Sequence, residues 1–195
     1  MDIPTGFDAF NKVSRPTIQT TAQLMRELHE GQTDPDGHPY FRHPMRVAMN
    51  LRRIYPQASD DMMMAALLHD TMEDCEQVDE EYLRQKGYSE NCIEIIRLLS
   101  RPPEDPRPYA QVVEDLIVSG NVDAMIVKIA DNMDNLHPER NAEFRLKDPV
   151  KSDRLVASYT ASIQKLAWSA IMDVDHIFDV IQGSPALDEL NALFE

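Results

Sequence analysis

The sequence predicts an all-α fold, on three observations. Apolar residues recur at three- and four-residue spacing through most of the chain. Helix-capping residues stand directly ahead of those runs. No run alternates with period two between hairpin turns, and the short pairs Val112-Val113 and Ile126-Val127 are flanked by helix formers.

The elements follow in order. Residues 1–14 form a lead with few periodic apolar positions. Ser14 can cap and Pro16 suits a first turn, after which Ile18, Ala22, Met25 and Leu28 form one face and Gly31 stops the helix. Gln32 to Tyr40 is a loop rich in Asp, Pro and Gly. A second helix starts near His43-Pro44 and runs through Val47, Leu51 and Ile54 to Pro56. Ser59-Asp-Asp caps a third helix and gives it an acidic first turn. A short helix from Asp79 to Gly87 and another capped by Ser89 follow, the latter carrying Ile93, Ile96, Leu98 and Leu99. Arg101 to Pro108 holds four prolines and is a loop. Tyr109 to Ser119 is amphipathic, and Val122 to Asn135 is a helix that Pro138 ends. A polar stretch leads to a long helix from about Val150 to Met172. The tail has two short helical patterns broken by Gly183-Ser-Pro. Trp168, Leu166 and Ile171 are expected to pack as core, with a dimer seam as the alternative.

At 195 residues the chain suits one domain over 1–195. The net charge of −15 argues against a general nucleic-acid binder, which needs a basic field to release counterions. A small anionic ligand stays open, because a metal ion and a few local cations can reverse the potential in one pocket. Cys75 and Cys92 are too few for a disulfide framework, and Cys75 reads as a bystander to the acidic cluster before it. The start has no basic, apolar leader and no segment reaches membrane-span length, so a soluble cytoplasmic protein is expected.

The chemistry concentrates in Ala65-Ala-Leu-Leu-His-Asp-Thr-Met-Glu-Asp74. On one helix, His69 would stack with Glu73 and Asp70 with Asp74. The apolar run Met62 to Leu68 implies burial, and a buried cluster of three carboxylates and an imidazole needs a compensating cation. His43, after Tyr40-Phe-Arg, can be structural or a ligand. Asp131 lies in an apolar helical stretch, where Lys128 three residues earlier can be its partner. Alternatively, His43, His69, Asp70 and Asp131 share one ion. Two imidazoles and two carboxylates suit manganese, iron or zinc.

His…His-Asp…Asp at these spacings resembles the HD-domain metal-dependent phosphohydrolases. His29-Glu-Gly-Gln32, Gly37-His-Pro-Tyr40, His43-Pro44 and Val47-Ala48 resemble the opening of the hydrolase domain of RelA/SpoT-type proteins. The stretch from Ala65 to Asp74 resembles that family's HDxxED motif, and Val127-Lys-Ile-Ala-Asp-Asn-Met-Asp-Asn135 its last metal-ligand motif. The matched blocks span roughly 22–140, with helices of about 150–195 packing on them. The resemblance implies a helical HD bundle, usually with Mn2+, that removes the 3′-pyrophosphate of guanosine tetra- or pentaphosphate, (p)ppGpp, as in small alarmone hydrolases. It implies His43, His69, Asp70 and Asp131 as metal ligands and Glu73 and Asp74 as the acid/base pair. Asn135 matches a substrate-contacting Asn; Tyr159 aligns with a Tyr near the nucleotide, and Arg42 and Lys128 complete the substrate side.

The match departs in two places. Gln32 and Thr33 stand where the family carries an Arg-Lys pair, and Asn132 and Asp134 stand where Arg or Lys and His or Tyr are common. An added Asp is unfavourable for a polyphosphate; Arg42, Arg46, Arg101, Arg107, Arg140 and Arg154 are the cations able to compensate. Two alternatives follow: a phosphohydrolase of the same fold for a nucleoside monophosphate, a nicotinamide dinucleotide phosphate or a cyclic dinucleotide, and a non-catalytic nucleotide sensor. The sequence leaves a homo-oligomer open.

Overall fold

The computed structural model describes residues 15–34, 37–102, 104–140, 142–186 and 189. Among them lie eleven helical segments: α1 (Ile18–Leu28), α2 (Arg42–Ile54), α3 (Asp60–Leu68), α4 (Thr71–Asp74), α5 (Glu80–Gln85), α6 (Glu90–Leu99), α7 (Tyr109–Val118), α8 (Val122–Asn135), α9 (Ala142–Lys147), α10 (Pro149–Ser169) and α11 (Val174–Gln182). The described residues contain no strand, only one antiparallel bridge between Thr33 and Pro39 across the loop before α2. None of these helices is long and apolar enough to cross a membrane.

Side-chain caps set the starts. Ser59, Asp79, Ser89, Asn121, Asp148 and Asp173 each accept from a backbone N–H in the first turn of the helix they open. Thr17, not Ser14, opens α1, through a reciprocal capping box with Thr20; Ser14 lies outside the described residues. Gly31 sits past the end of α1 at a φ of 79°, where its missing Cβ permits the turn into the loop.

The third helix is the centre of the fold. Every residue from Met62 to Leu68 is buried, the pattern of a helix covered on all sides. Helices α1, α2, α6 and α8 pack around it. Helix α8 is buried almost as completely, between α2 on one side and α10 on the other. The α2–α8 seam and the C-terminal end of α3 therefore meet deep in the molecule, and the site is built there.

Three expectations change. The long helix ends at Ser169, and a further short helix, α9, occupies the stretch read as polar connection. The second tail pattern lies largely outside the described residues. Trp168 is not core: Leu166 is fully buried, but Trp168 is 84% and Ile171 95% exposed. Two positions along a helix turn a side chain by roughly 200°, so Leu166 facing the core sends Trp168 to solvent.

Candidate metal centre

The motif at residues 69–74 is not one helix. Helix α3 stops at Leu68, and α4 starts at Thr71. Side-chain bonds accompany the break between the two segments. Thr71 Oγ1 donates to the Leu68 carbonyl at 2.7 Å, and His69 Nδ1 donates to the Ala66 carbonyl at 3.0 Å. Both capture carbonyls that a continuing helix would use. The sequential neighbours His69 and Asp70 then face one point, with His69 Nε2 at 3.0 Å from Asp70 Oδ2. Burial divides the cluster as well: His69 is buried and Asp70 is 20% exposed by side chain, but Glu73 and Asp74 are exposed at its edge. The expected buried group of three carboxylates is thus one inner carboxylate and two at the mouth.

The other two sides come from α2 and α8. His43 Nε2 lies 3.3 Å from Asp131 Oδ1 and 3.5 Å from Asp70 Oδ2, while His69 Nε2 lies 3.7 Å from Asp131 Oδ1. Among the described residues, His43, His69 and Asp131 form a buried group able to hold a metal, with Asp70 against it. All four sequence-predicted ligands converge.

The donor set fits a cation. A carbonyl only accepts, so His69 Nδ1 carries the proton and Nε2 of the neutral ring presents a lone pair. That buried Nε2 has no hydrogen-bond partner and is aimed at two carboxylates. Only a positive charge relieves the arrangement, from a proton or a divalent ion. Burial opposes a charged imidazole, but Asp70 and Asp131 outweigh it and push His69 up to about 10. Both carboxylates stay below the usual range despite burial, Asp70 through His69 and Asp131 through Lys128 and the two imidazoles.

Partners fix the four converging side chains. Tyr40 donates to Asp70 Oδ2 at 2.6 Å, and burial with that carboxylate raises its phenol. Lys128 Nζ binds Asp131 Oδ2 and Asn135 Nδ2 donates to Asp131 Oδ1, both at 2.8 Å. His43 Nδ1 is 2.7 Å from Asp134 Oδ2, and the buried Arg46 holds that carboxylate by Nε to Oδ1 at 2.6 Å and by its second nitrogen to Oδ2 at 3.1 Å. Arg140 reaches the same Oδ2.

The two outer carboxylates differ in surroundings. Glu73 Oε2 accepts from the Arg101 backbone N–H at 3.0 Å and feels Lys128; Asp74 lies on the His29 and Tyr40 side. Partial burial raises both carboxyls, and Asp70 adds to it. Tyr159 packs edge-on against Tyr109 with centroids 5.7 Å apart, and Tyr109 donates to Asn132 at 2.7 Å. Arg42 lies beside His38.

Several expectations about charge are corrected. Asp134 adds no open negative charge, because it is buried between Arg46 and Arg140. Arg107 is engaged with Asp105 and Asp115, and Arg101 with Asp105 and nearby carbonyls. Gln32 bonds His29 Nδ1 at 2.7 Å and the Asp74 carbonyl at 3.2 Å. Cys75 Sγ sits against the Leu28 carbonyl, away from the ligands. Sequence reasoning assigned no role to Tyr40 and misplaced Asp134 and Arg46. The available signal was spacing, since Arg46 follows His43 by three positions and Asp134 follows Asp131 by three.

Comparison with known proteins agrees with this geometry. A family model described as HD domain matches residues 21–147, well over half of the chain. The guanosine-3′,5′-bis(diphosphate) 3′-pyrophosphohydrolase of Haemophilus influenzae is 29% identical over 118 residues, 58% of this chain and 17% of that protein. The bifunctional (p)ppGpp synthase/hydrolase SpoT of Escherichia coli K12 is 45% identical over 51 residues, 26% of this chain and 7% of that protein. The chain thus aligns with less than a fifth of the length of either relative. A solved structure of a metazoan ortholog of SpoT, described as hydrolysing ppGpp, superposes with a TM-score of 0.60 at 20% identity, covering 85% of this chain and 95% of that one, so the two share a fold. The chain belongs to the HD-domain family, and the members it resembles in sequence are the RelA/SpoT-type hydrolases.

Proposed function

We propose that this protein is a metal-dependent phosphohydrolase that removes the 3′-pyrophosphate of (p)ppGpp, with Mn2+ as its ion, in the cytoplasm. One observation carries the reading: His43, His69, Asp70 and Asp131 converge on a point where the buried His69 Nε2 has no partner. The names of the similar proteins supply the substrate.

In this reading His43, His69, Asp70 and Asp131 hold the ion. When bound, a divalent ion neutralises phosphate charge and lowers the pKa of water toward neutrality. The remaining work falls to the protein. Glu73 and Asp74 flank the opening, and partial burial raises both carboxyls above their ordinary values, the direction that makes a carboxylate a better proton acceptor. The Arg101 N–H occupies Glu73 Oε2, which leaves Oε1 to take a proton from the attacking water. The O3′–phosphorus bond breaks as the water oxygen bonds to phosphorus, and the proton returns to the leaving 3′ oxygen. Asp74, one position on, adds negative charge that raises the Glu73 carboxyl further. Asn135, Arg42, Lys128 and Tyr159 form the substrate side, where Lys128 lends positive charge beside Asp131.

A second reading keeps the chemistry and changes the nucleotide. Gln32 is used internally, and Arg46, Arg101, Arg107 and Arg140 are paired with carboxylates, which leaves fewer cations for a polyphosphate. Turnover of Mn2+-loaded protein on (p)ppGpp beside other nucleotides, scoring pyrophosphate against phosphate, decides. Pyrophosphate from (p)ppGpp at a kcat of roughly 1–1000 per second supports the first reading. Phosphate from another nucleotide with (p)ppGpp untouched supports the second.

A further inference from the structure

The buried charge cluster one helical turn beyond the ligands has no role in the chemistry above. Along the α2–α8 seam, His43 and Asp131 face the centre; three residues on, Arg46 and Asp134 face each other. Asp134 is 1% and Arg46 2% exposed. Burying such a pair costs several kcal/mol in desolvation, and apolar residues of similar size would often be at least as stable. Stability alone is thus a poor account of it.

We propose that Asp134, clamped by Arg46 and Arg140, is a positioning residue that fixes the tautomer and orientation of His43 so that Nε2 presents its lone pair to the metal centre. The proposal rests on the reading of His43 as a ligand. Asp134 Oδ2 lies 2.7 Å from His43 Nδ1. An ionised carboxylate only accepts, so Nδ1 carries the proton and Nε2 is bare. Were Nδ1 bare instead, its lone pair would face that of Asp134 Oδ2, with one Arg140 nitrogen left to serve both acceptors. Arg140 lies against both Nδ1 and Oδ2, yet it can satisfy only the carboxylate once Nδ1 is protonated. Arg46 grips both oxygens of Asp134, which removes the carboxylate's rotation and with it that of the imidazole.

The contrast with His69 sharpens the point. Its Nδ1 donates to a backbone carbonyl at 3.0 Å, a neutral acceptor. His43 donates to a charge. Carboxylate partners raise the basicity of a ligating imidazole, and losing them typically weakens metal binding about 10–100-fold. Asp134 is thus the means of orienting this imidazole, and the arginine pair makes its burial tolerable.

The test is Mn2+ affinity by titration calorimetry on the full chain, for wild type, Asp134→Asn, the double variant Arg46→Met/Asp134→Asn, and His43→Ala. The double variant removes the buried Arg46 charge together with that of Asp134, leaving only the partly exposed Arg140 of the three, and is the second variant where the single one fails to fold. The expected result is Mn2+ binding about 10–100-fold weaker in the folded Asp134 variants, with loss of the His43 Nδ1–H signal pattern in long-range nitrogen spectra. Affinity within twofold of wild type in a folded Asp134 variant, with only the melting temperature lowered, overturns the proposal and makes Asp134 purely structural. If wild type and His43→Ala bind Mn2+ equally, the ligand reading itself fails, and the proposal with it.

Discussion

In the metal-free protein the centre needs a proton, which makes its stability depend on pH in a calculable way. His69 is pushed up to about 10 by Asp70 and Asp131, against an ordinary value of 6.5. A group whose pKa rises on folding stabilises the fold fully below its unfolded value and loses that contribution as pH climbs through the folded one. The window is therefore about 6.5 to 10. At about 1.4 kcal/mol per pKa unit, the contribution lost across it is about 5 kcal/mol. The same attraction depresses Asp70, so it is counted once. Urea unfolding in chelator at pH 6, 8 and 10 measures the loss, with His69→Gln as reference because other groups titrate in the same range. Wild type should lose stability steeply relative to the variant. Mn2+ at about 100 times its Kd should add about 2.7 kcal/mol and flatten the dependence, since the ligand imidazole is then neutral. A wild-type slope equal to that of His69→Gln would refute the reasoning, because Nε2 would then face neither proton nor metal.

Three further outcomes follow from the same structure. Glu73→Gln should lower kcat by about 100- to 10,000-fold with Mn2+ affinity within a few-fold of wild type by calorimetry; lost metal binding would place Glu73 among the ligands instead. Ile129→Ala, at a fully buried position of α8, should cost about 2–5 kcal/mol and lower the melting temperature by about 5–15 °C. Trp168→Ala, at 84% exposure, should change unfolding free energy by less than about 0.5 kcal/mol, and a larger loss would mean that another surface covers the indole.

Helix content was legible because periodicity and caps are local. Ser59, Asp79 and Ser89 each announced a helix that begins at the next residue. The N-terminus of α1 is set at Thr17 because Thr17 and Thr20 satisfy each other's backbone. Trp168 was misread because apolar character says only that a residue can be buried. Which side of α10 faces α8 is set by the whole helix, and Leu166, Ile163 and Ala167 claim that side.

The site was legible as a set of residues and illegible as a shape. The resemblance to HD-domain sequences pointed to His43, His69, Asp70 and Asp131, and the fold brings those four side chains together. How they meet depends on the break between Leu68 and Thr71, where two side chains bond the Ala66 and Leu68 carbonyls. Asp70 lies inward there and Glu73 and Asp74 at the mouth, so that a run of acids becomes a centre with an edge. Charge was the least legible property. Counted along the sequence, Asp134 is one more negative residue near an anion site and Arg46 and Arg140 are cations for a phosphate. Folded, Asp134 is held between both arginines behind His43, a cluster that keeps one net positive charge inside the protein, and Lys128 is itself paired with Asp131, so the charges at the mouth are the two outer carboxylates. Those carboxylates carry the least favourable charge for a polyphosphate, and partial burial and Asp70 raise both carboxyls. Proton exchange and substrate tolerance thus draw on the same feature: an acid that is easy to protonate is also one that repels a phosphate less.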